Sequence, residues 1–589
     1  MQAFICFFLP PVLMLLFWKR LNRGQVFSKL DLAFYAVAVL LLNFLCMCVI
    51  ICATNNVSLT YRLNTYSDFA LKYLVLAGCL SFAVPAAIYF CRRNLTVSVT
   101  APKLPEKFPR WEVIGIIYCV ILFAMHARRV TDNNFWGDEC FSILLSRMSF
   151  RDMINVTAAD VHPPLYYVIL QLVCSVVGNN NIAFNITSLL PYAITLCFAM
   201  TAVWKKWGKE VAFILITFAS LLSCAIQYNT EIRMYSWAAL FVLLSFYCLY
   251  NILTSGKVIH YVLFAVASLG AAYSHYYSLI SVAFFYVVLL IVTAFKWKKY
   301  WLKVLCTCVG TVVGYLPWFF ILLKAFDRSS ESFWISEIPT MKESVYSLFS
   351  GKYPKELSIA FFVIVTLVVL KELKIFTIEK AEDKRFCVNI QLAKIDLTVN
   401  AIWLVAGLLC TLGTAAAGIA VSKIYRPLYL VRYLYPVAPV AWLMFGVCVS
   451  KLKGKKILCL VLVLLMLTSG IPLCNEAYKA EQANNATLSA TLAATADLDS
   501  DDYIFTNNTH IAWTIGKYYY PGATIGPMDW ETFPELDPDT AYWFIINFQM
   551  TETPWAGLVR SQQFALEEVT TAGNLGLQDV FIYKAYKQN

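Results

Sequence analysis

Residues 277–295, which read YSLISVAFFYVVLLIVTAF, form a stretch of 19 positions without a charged side chain. About 20 consecutive apolar residues in a helix can cross the hydrocarbon core of a bilayer, so this stretch predicts a transmembrane helix. Comparable stretches recur along most of the chain. The sequence therefore predicts a polytopic α-helical membrane protein with about fourteen spans, namely 2–17, 31–53, 70–90, 111–130, 183–203, 211–227, 234–253, 258–274, 277–295, 303–324, 357–372, 397–421, 434–450 and 457–473.

The composition of the whole chain supports the same class. Of its 589 residues, 60% are hydrophobic and only 14% are charged, and the mean hydropathy is +0.65. Soluble globular domains usually carry about 25% charged residues, and a soluble fold of this length could not bury so much apolar surface. Most of the 19 cysteines lie in apolar stretches, where a thiol behaves as a small hydrophobic group. Soluble, fibrous, disordered and disulfide-framework classes are therefore excluded.

Lysine and arginine are distributed unequally between alternate connections. One set of connections carries 27 of these residues and the opposite set carries 13. Cytoplasmic connections are enriched in positive charge, so we expect the first set in the cytoplasm and both termini outside. This alternation requires that 163–177 does not cross the membrane. We therefore expect its helix, opened by Pro163 and Pro164, to lie along or partly in the outer surface.

The sequence changes character after residue 473. The 116 residues that follow hold 15 acidic and five basic side chains. Short runs at 502–505, 541–546 and 580–586 have the composition of strands and are separated by turn residues. We therefore predict a small C-terminal α/β domain at 474–589, on the outer side of the membrane.

The predicted outer loop 131–182 holds two clusters of polar residues. The first reads NFWGDE and ends on Asp138 and Glu139, and the second reads DVHPP and contains Asp160 and His162. Apolar residues recur at helical spacing after the first cluster, which predicts an amphipathic helix in the plane of the interface. The two carboxylates would then lie at the membrane surface. The alternative is a solvated acidic pair that caps a surface helix.

Basic and imidazole side chains lie at three other predicted outer turns. These are Arg233 in EIRMYS, His275 in YSHYY and Arg432 in RYLYPVAP. Positive charge on the outer side runs against the general tendency, so we predict a site for an anionic headgroup such as phosphate. The alternative is that such cations reach ordinary lipid phosphates along their apolar stems.

Five short motifs, in this order, resemble the GT-C glycosyltransferase superfamily, specifically the bacterial relatives of the protein O-mannosyltransferases. The motifs are WGDE, DVHPPLYY, EIRMYS, YSHYY and RYLYPVAP, and they lie within residues 111–450. The chain resembles the lipid A aminoarabinose transferase branch more weakly. That branch has Glu-Lys before the Pro-Pro pair, whereas this chain has Val161 and His162.

The resemblance implies an integral-membrane enzyme that moves a sugar from a polyprenyl-phosphate carrier to an acceptor outside the cytoplasm. It implies that Asp138 is the essential acidic residue and that Glu139 is its partner. Asp160 and His162 match a second cluster near the donor phosphate. Arg233 matches a basic position linked to donor binding.

The residue types agree with that chemistry. An acceptor hydroxyl needs a general base, for which a carboxylate is suitable, whereas a polyprenyl phosphate leaves without a second carboxylic acid. The negative charge that grows on the phosphate needs Arg, His or a divalent ion. We therefore expect inverting transfer with Asp138 and Glu139 as the catalytic carboxylates. The predicted donor-phosphate site comprises Asp160, His162, Arg233, His275 and Arg432.

The sequence also suggests cofactors, partners and a location. Asp138 and Asp160 could hold Mg²⁺ or Mn²⁺, although their spacing specifies no metal site. The expected partners are the polyprenyl-phosphate-linked sugar donor, a glycan, lipid or protein acceptor, and membrane lipids, and we expect no nucleic acid. We expect a bacterial plasma membrane, with the catalytic face and the C-terminal domain outside.

The predicted organisation has three parts. An added transmembrane module at 1–92 precedes a GT-C-like membrane catalytic domain at 111–473, and the domain at 474–589 has a supporting or acceptor-binding role. One alternative function is a transporter or flippase of a lipid-linked sugar, which should show inverted repeats and polar residues near the membrane midplane. Another is a non-catalytic scaffold, which would leave the five ordered motifs unexplained.

Overall fold

The structure is a computed structural model, and it describes residues 110–328, 335, 337–380, 386–390, 397–528, 533–547 and 554–587. The predicted N-terminal module at 1–92, with its three spans, lies outside the described residues. The chain divides into two units. The site discussed below lies wholly in the unit made of residues 109–307 and 333–589.

The described residues are mainly helical. In chain order the α-helices are α1 Arg110–Ala127, α2 Gly137–Arg147, α3 Phe150–Ala159, α4 Leu165–Val177, α5 Asn181–Phe198, α6 Trp204–Trp207, α7 Lys209–Leu221, α8 Ser223–Tyr228, α9 Tyr235–Ser255, α10 Val258–Ser274, α11 Tyr276–Phe295, α12 Trp301–Arg328, α13 Met341–Ser347, α14 Pro354–Glu372, α15 Val399–Leu408, α16 Thr414–Ile424, α17 Ala438–Ser450, α18 Lys455–Ala494, α19 Gly516–Tyr519 and α20 Pro554–Ser561. Short 3₁₀ or π turns join or extend them at Arg128–Thr131, Ala199–Val203, Lys298–Tyr300, Leu409–Gly413, Val431–Val437 and Ile511–Ile515.

Several helices begin at residues that cap them. The side chains of Ser149, Asn180 and Thr398 each accept a hydrogen bond from the backbone N–H three residues later. Such bonds satisfy first-turn donors that have no partner within the helix. These helix starts therefore follow from the local sequence.

Eight helical segments among the described residues are long and apolar enough to cross a membrane, namely Trp111–Thr131, Asn181–Trp207, Tyr235–Ser255, Tyr276–Phe295, Lys298–Lys324, Val399–Ile424, Val431–Ser450 and Lys455–Ala494. They confirm the predicted multi-pass α-helical membrane class. The predicted count of fourteen spans is not confirmed, because three lie outside the described residues and others are shorter than a full span. The stretch 258–274, for example, forms the 17-residue helix α10.

The predicted span 211–227 is interrupted. Leu222 is extended, with ψ of 143°, so α7 ends before it and α8 begins after it. The N–H of Ser223 donates to the carbonyl of Ser350 at 2.9 Å, and the N–H of Cys224 donates to the Ser350 hydroxyl at 2.8 Å. The two N–H groups therefore bond to Ser350 instead of to carbonyls of the preceding helical turn. Because Ser350 is distant in the chain, the local sequence does not predict the break.

The helix that follows Pro163 and Pro164 is short. Helix α4 has 13 residues, which at about 1.5 Å per residue is well below the thickness of a bilayer core. Its first turn is anchored because Tyr166 and Tyr167 are fully buried, and the Tyr166 hydroxyl lies 3.1 Å from that of Ser188. The DVHPP motif is thereby fixed at the start of α4.

The C-terminal region forms the predicted small α/β domain. Its strands are β3 Tyr503–Thr506, β4 Thr524–Pro527, β5 Tyr542–Ile546, β6 Phe564–Leu575 and β7 Gln578–Lys587, whereas β1 Phe376–Lys380 and β2 Phe386–Ile390 form a separate antiparallel pair. The strand order in the sheet is β4-β3-β5-β7-β6. Strand β3 is parallel to β4 and β5, and strand β7 is antiparallel to β5 and β6. Its core stacks Phe544 between Phe505 and Trp555, at ring-centroid distances of 5.3 and 4.5 Å.

Helix α18 connects this domain to the membrane part. It runs without a break for 40 residues and so continues beyond position 473. Its last turns pack against β6, where the N–H of Asn574 donates to the Thr491 hydroxyl at 2.9 Å. Within the same helix, Glu481 pairs with Arg129, which lies in the short turn directly after α1. One helix therefore contacts both the membrane part and the sheet.

Candidate active site

Helix α2 presents the two neighbouring carboxylates in different directions. Glu139 is buried, and its two carboxylate oxygens accept hydrogen bonds from the backbone N–H of Ile232, at 2.8 Å, and of Trp136, at 3.3 Å. Acidic side chains in the first turn are favoured because the helix N-terminus carries partial positive charge. Glu139 therefore ties the start of α2 to the connection that carries the EIRMYS motif.

Asp138 lies on the accessible side of the same helix start. Its side chain is 25% exposed, and its Oδ2 lies 3.7 Å from Nη2 of Arg233 and 3.6 Å from Nη2 of Arg432. These residues come from three separate places in the chain: the first turn of α2, the connection before α9 and the turn Val431–Val437. The fold thus places one reachable carboxylate beside two guanidinium groups.

Arg233 is the buried centre of this cluster. Its side chain is only 2% exposed. Its Nη1 donates to the backbone carbonyl of Asp138 at 3.1 Å, to the Ser142 hydroxyl at 3.3 Å and to the Tyr167 hydroxyl at 3.5 Å. Its Nη2 lies 3.3 Å from Nε2 of His162. The planar fork of an arginine suits such multiple contacts, so Arg233 joins α2, α4 and the loop that carries His162 at one point.

Asp160 and His162 form a dyad behind Arg233. Nδ1 of His162 lies 3.1 Å from Oδ2 of Asp160. Because an arginine can only donate, Nε2 of His162 accepts from Arg233, and the Nδ1 hydrogen points at Asp160. Burial would raise the pKa of Asp160, but the hydrogen bonds from His162 and from the backbone of Val161, together with the charge of Arg233, outweigh burial and hold that pKa below its ordinary value.

His275 and Arg432 complete the cluster. The His275 ring lies 6.3 Å from the His162 ring and 5.1 Å from the Tyr433 ring, measured between centroids, and its Nδ1 accepts from the N–H of Tyr277 at 3.2 Å. Burial, together with the charges of nearby cations, lowers the pKa of His275 well below its ordinary value. Arg432 is 23% exposed and lies 5.4 Å from the Trp136 ring centroid. Arg432 is therefore more accessible than Arg233.

The structure brings the predicted site residues into one cluster. Contacts link the side chains of Asp138, Asp160, His162, Arg233, His275 and Arg432. Glu139 lies next to them, but its carboxylate faces the protein interior. Sequence reasoning did not select Tyr433 or Tyr167, which contact the cluster, because neither position differs from an ordinary interfacial tyrosine.

Glu231 is a buried carboxylate that the sequence did not single out as a site residue, although it begins the EIRMYS motif. Its Oε2 accepts from Gln227 at 3.3 Å, and its Oε1 is buried without a hydrogen-bond donor among the described residues. Burial raises the pKa of Glu231 to about 7, against the opposing effect of Arg233 and Arg432. Burial and the charge of Glu231 likewise raise the pKa of Glu139 well above its ordinary value.

Because burial raises the pKa of Glu231, this side chain should make the free energy of unfolding depend on pH, and the Glu231→Gln variant should lack that contribution. Between an ordinary pKa near 4.5 and the folded value of about 7, the folded protein holds a proton that the unfolded chain releases. Stability from this group is therefore present below about pH 4.5 and is lost as the pH rises towards about 7. We expect the melting temperature of the wild type, relative to the variant, to fall by a few degrees across this range. Parallel melting curves at every pH would contradict the assignment.

Both aspartates predicted as metal ligands have other partners in the structure. Oδ2 of Asp138 faces two guanidinium groups, and Oδ2 of Asp160 is engaged by His162. Among the described residues, no three His, Cys, Asp or Glu side chains converge as metal ligands. Mg²⁺ is usually held by carboxylates that face open solvent or substrate phosphates, not arginines.

Comparison with known proteins finds one family model that matches part of the chain and several solved structures of similar fold. A family model described as dolichyl-phosphate-mannose-protein mannosyltransferase matches residues 161–318. The crystal structure of ArnT from Cupriavidus metallidurans in the apo state is similar at 11% identity and a TM-score of 0.50, covering 80% of this chain and 97% of that chain. The structure of the same protein bound to undecaprenyl phosphate is similar at 10% identity and a TM-score of 0.48, covering 80% of this chain and 98% of that chain. No curated protein sequence matched the chain.

A further solved structure, arabinosyltransferase EmbB from Mycobacterium smegmatis, is similar at 12% identity and a TM-score of 0.37, covering 65% of this chain and 34% of that chain. The family match includes the EIRMYS and YSHYY motifs, and the likeness to apo ArnT extends over nearly all of that fold. The predicted family resemblance is confirmed. The chain thus resembles the dolichyl-phosphate-mannose-protein mannosyltransferases over residues 161–318 and shares the multi-pass membrane fold of apo ArnT.

Proposed function

We propose that the protein transfers a sugar from a polyprenyl-phosphate donor to an acceptor hydroxyl on the outer face of the membrane, with inversion at the anomeric carbon. The observation that carries this proposal is the accessible Asp138 carboxylate, 3.7 Å from Arg233 and 3.6 Å from Arg432. A base beside two cations suits a reaction in which a proton leaves the acceptor while negative charge grows on a phosphate.

The proposed reaction is a single displacement. Asp138 takes the proton of the acceptor hydroxyl as the hydroxyl oxygen attacks the anomeric carbon of the sugar. The bond between this carbon and the phosphate oxygen breaks on the opposite face. Polyprenyl phosphate leaves with the electron pair, and cations stabilise its added charge. Because phosphate is a good leaving group, no second carboxylic acid takes part.

The two arginines have different proposed roles. Arg432 is 23% exposed, so we assign its guanidinium to contact with the donor phosphate at the accessible side of the cluster. Arg233 is 2% exposed and donates to groups on α2, on α4 and in the loop before α4, so we assign it to positioning Asp138 and His162. Asp160 in turn orients His162. Glu139, whose oxygens accept two backbone N–H groups, positions the start of α2 rather than touching the sugar.

The donor class and the location rest on two further observations. The matching family is described by its use of dolichyl-phosphate mannose, which supports a polyprenyl-phosphate sugar as the donor here. The excess of Lys and Arg on the opposite connections supports an outward-facing site and an exocytoplasmic C-terminal domain. We place the protein in a bacterial plasma membrane because its motifs resemble those of the bacterial relatives of the protein O-mannosyltransferases. The proposed acceptor is a hydroxyl of a glycan, a lipid or a protein.

The stereochemistry of the product tests the proposed displacement. Purified protein in nanodiscs would receive polyprenyl-phosphate sugars of known anomeric configuration, together with glycan, lipid and protein acceptor fractions. We expect a product whose anomeric configuration, read by NMR, is opposite to that of the donor. Retention would contradict a single displacement by the acceptor, and consumption of nucleotide sugars alone would contradict the lipid-linked donor.

Metal dependence is a separate prediction. Since we assign charge stabilisation to the guanidinium groups, dialysis against EDTA should change the rate of transfer by less than about two-fold. The measurement is the release of polyprenyl phosphate before and after dialysis, with and without added Mg²⁺ or Mn²⁺. A loss of activity that either ion restores would instead assign Asp138 and Asp160 to an ion.

A further inference from the structure

The short segment before α2 is held mainly by residues from the far end of the chain. The hydroxyl of Tyr519 accepts a hydrogen bond from the N–H of Phe135 and donates one to the carbonyl of Asn133, each at 2.8 Å. Tyr519 belongs to α19 in the C-terminal domain, nearly 400 positions away in sequence. Two backbone groups within five residues of Asp138 therefore depend on one tyrosine hydroxyl.

Asn134, between those two residues, is fully buried and bonded to the same domain. Its Nδ2 donates to Oδ1 of Asn574 at 2.8 Å, and its Oδ1 accepts from the N–H of Leu577 at 3.1 Å. Oδ1 of Asn485, on α18, accepts from the N–H groups of both Asn133 and Asn134 at 3.2 Å. The segment is thus fixed by hydrogen bonds to an α18 residue and to the β6–β7 turn.

The C-terminal domain also touches the helix start itself. The π turn Ile511–Ile515 packs against α2. His510 lies so close to Gly137 that a Cβ at that position would meet its Nδ1 at 2.9 Å. The contact lies one residue before Asp138. The absence of a side chain at 137 therefore allows the domain to approach the carboxylate-bearing turn.

We propose that Tyr519 is a positioning residue through which the C-terminal domain fixes the Asp138 carboxylate for transfer. The role rests on the proposed function, because it assumes that Asp138 is the base. A catalytic group must be held within about 0.5 Å of its productive position, and such precision requires a supporting set of contacts. A buried N–H and a buried carbonyl that lose their partner favour local opening, which would move the turn that carries Asp138.

The test compares Tyr519→Phe with Tyr520→Phe in the full-length protein. The neighbouring Tyr520 hydroxyl makes a buried 2.8 Å hydrogen bond to Thr495, within the same region but away from the segment before α2. In Tyr519→Phe we expect faster hydrogen exchange in the peptide covering 133–139 and a fall in kcat of about ten-fold with unchanged KM for the donor. In Tyr520→Phe we expect exchange in that peptide and kcat to match the wild type.

Equal exchange and equal kcat in Tyr519→Phe and the wild type would overturn the proposal, as would equal losses in both variants. If Tyr519→Phe does not fold, Asn574→Ala can be used, because it removes the hydrogen bond from Asn134 to the same domain. We expect this variant to speed hydrogen exchange in the peptide 133–139, and unchanged exchange in that peptide would also overturn the proposal. If the wild type releases no polyprenyl phosphate, the proposed function fails. The exchange comparison then still decides whether Tyr519 holds the segment.

Discussion

Asp138→Asn is expected to reduce the turnover of the transfer reaction by about 10³-fold while leaving folding and donor binding intact. The amide keeps the shape of the side chain but cannot accept the proton of the acceptor hydroxyl. General-base catalysis contributes about 10²- to 10⁴-fold. The measurement is kcat from polyprenyl phosphate release, with thermal unfolding to verify the fold.

Asp152→Asn is the matched control for this variant. Asp152 lies in α3, on the same predicted outer loop, and its exposed carboxylate accepts a hydrogen bond from Ser149 at 2.6 Å. It should retain wild-type turnover. A near-normal kcat in Asp138→Asn would show that Asp138 is not the general base and would contradict the proposed mechanism.

Arg432→Gln is expected to lower kcat/KM for the donor by about 10²- to 10³-fold, the usual cost of removing one group that stabilises developing charge. Because Arg432 is partly exposed and stacks near Trp136, its loss should leave the Arg233 cluster in place. The measurement is a titration of donor at saturating acceptor. Most of the loss should be in kcat, since the charge on the phosphate grows as the bond to the sugar breaks.

Lys423→Gln serves as the control for charge alone. Lys423 is an exposed cation in the last turn of α16, nine residues before Arg432 in the chain. It should leave kcat and KM unchanged at moderate salt, because exposed charges are screened. Equal losses in both variants would indicate general attraction to anionic lipid and would contradict a specific contact from Arg432.

Much of the membrane fold follows from composition and periodicity. Stretches such as 277–295 are uncharged over the length of a bilayer, and the structure places α11 at Tyr276–Phe295. The strands of the C-terminal domain were predictable for a similar reason, since 541–546 is a short apolar run between turns and forms β5 Tyr542–Ile546. The local sequence pattern was enough to predict helices and strands, such as α11 and β5, that are defined by their own apolar residues.

Features set by contacts between distant residues were not predictable. The break at Leu222 depends on acceptors supplied by Ser350, and no local pattern announces it. The continuation of α18 to Ala494 depends on contacts with β6 and Arg129, so the change to polar sequence after residue 473 did not coincide with the end of the helix.

The candidate site divides in the same way. The order of the five motifs was enough to propose the cluster around Asp138, because the resemblance to the GT-C glycosyltransferases implied it. The different orientations of Asp138 and Glu139, and the contrast between exposed Arg432 and buried Arg233, required the structure. Tyr519 could not be found from sequence, since its importance comes from two backbone groups on a segment far along the chain.

Release of polyprenyl phosphate from a panel of lipid-linked sugars, measured for the wild type and Asp138→Asn in nanodiscs, tests the central claim most directly. We predict release by the wild type with one or more donors in the presence of acceptor, and loss of that release in the variant. Donor binding without release, together with movement of the same lipid across sealed vesicles by both proteins, would contradict a transferase and establish a lipid-linked sugar transporter.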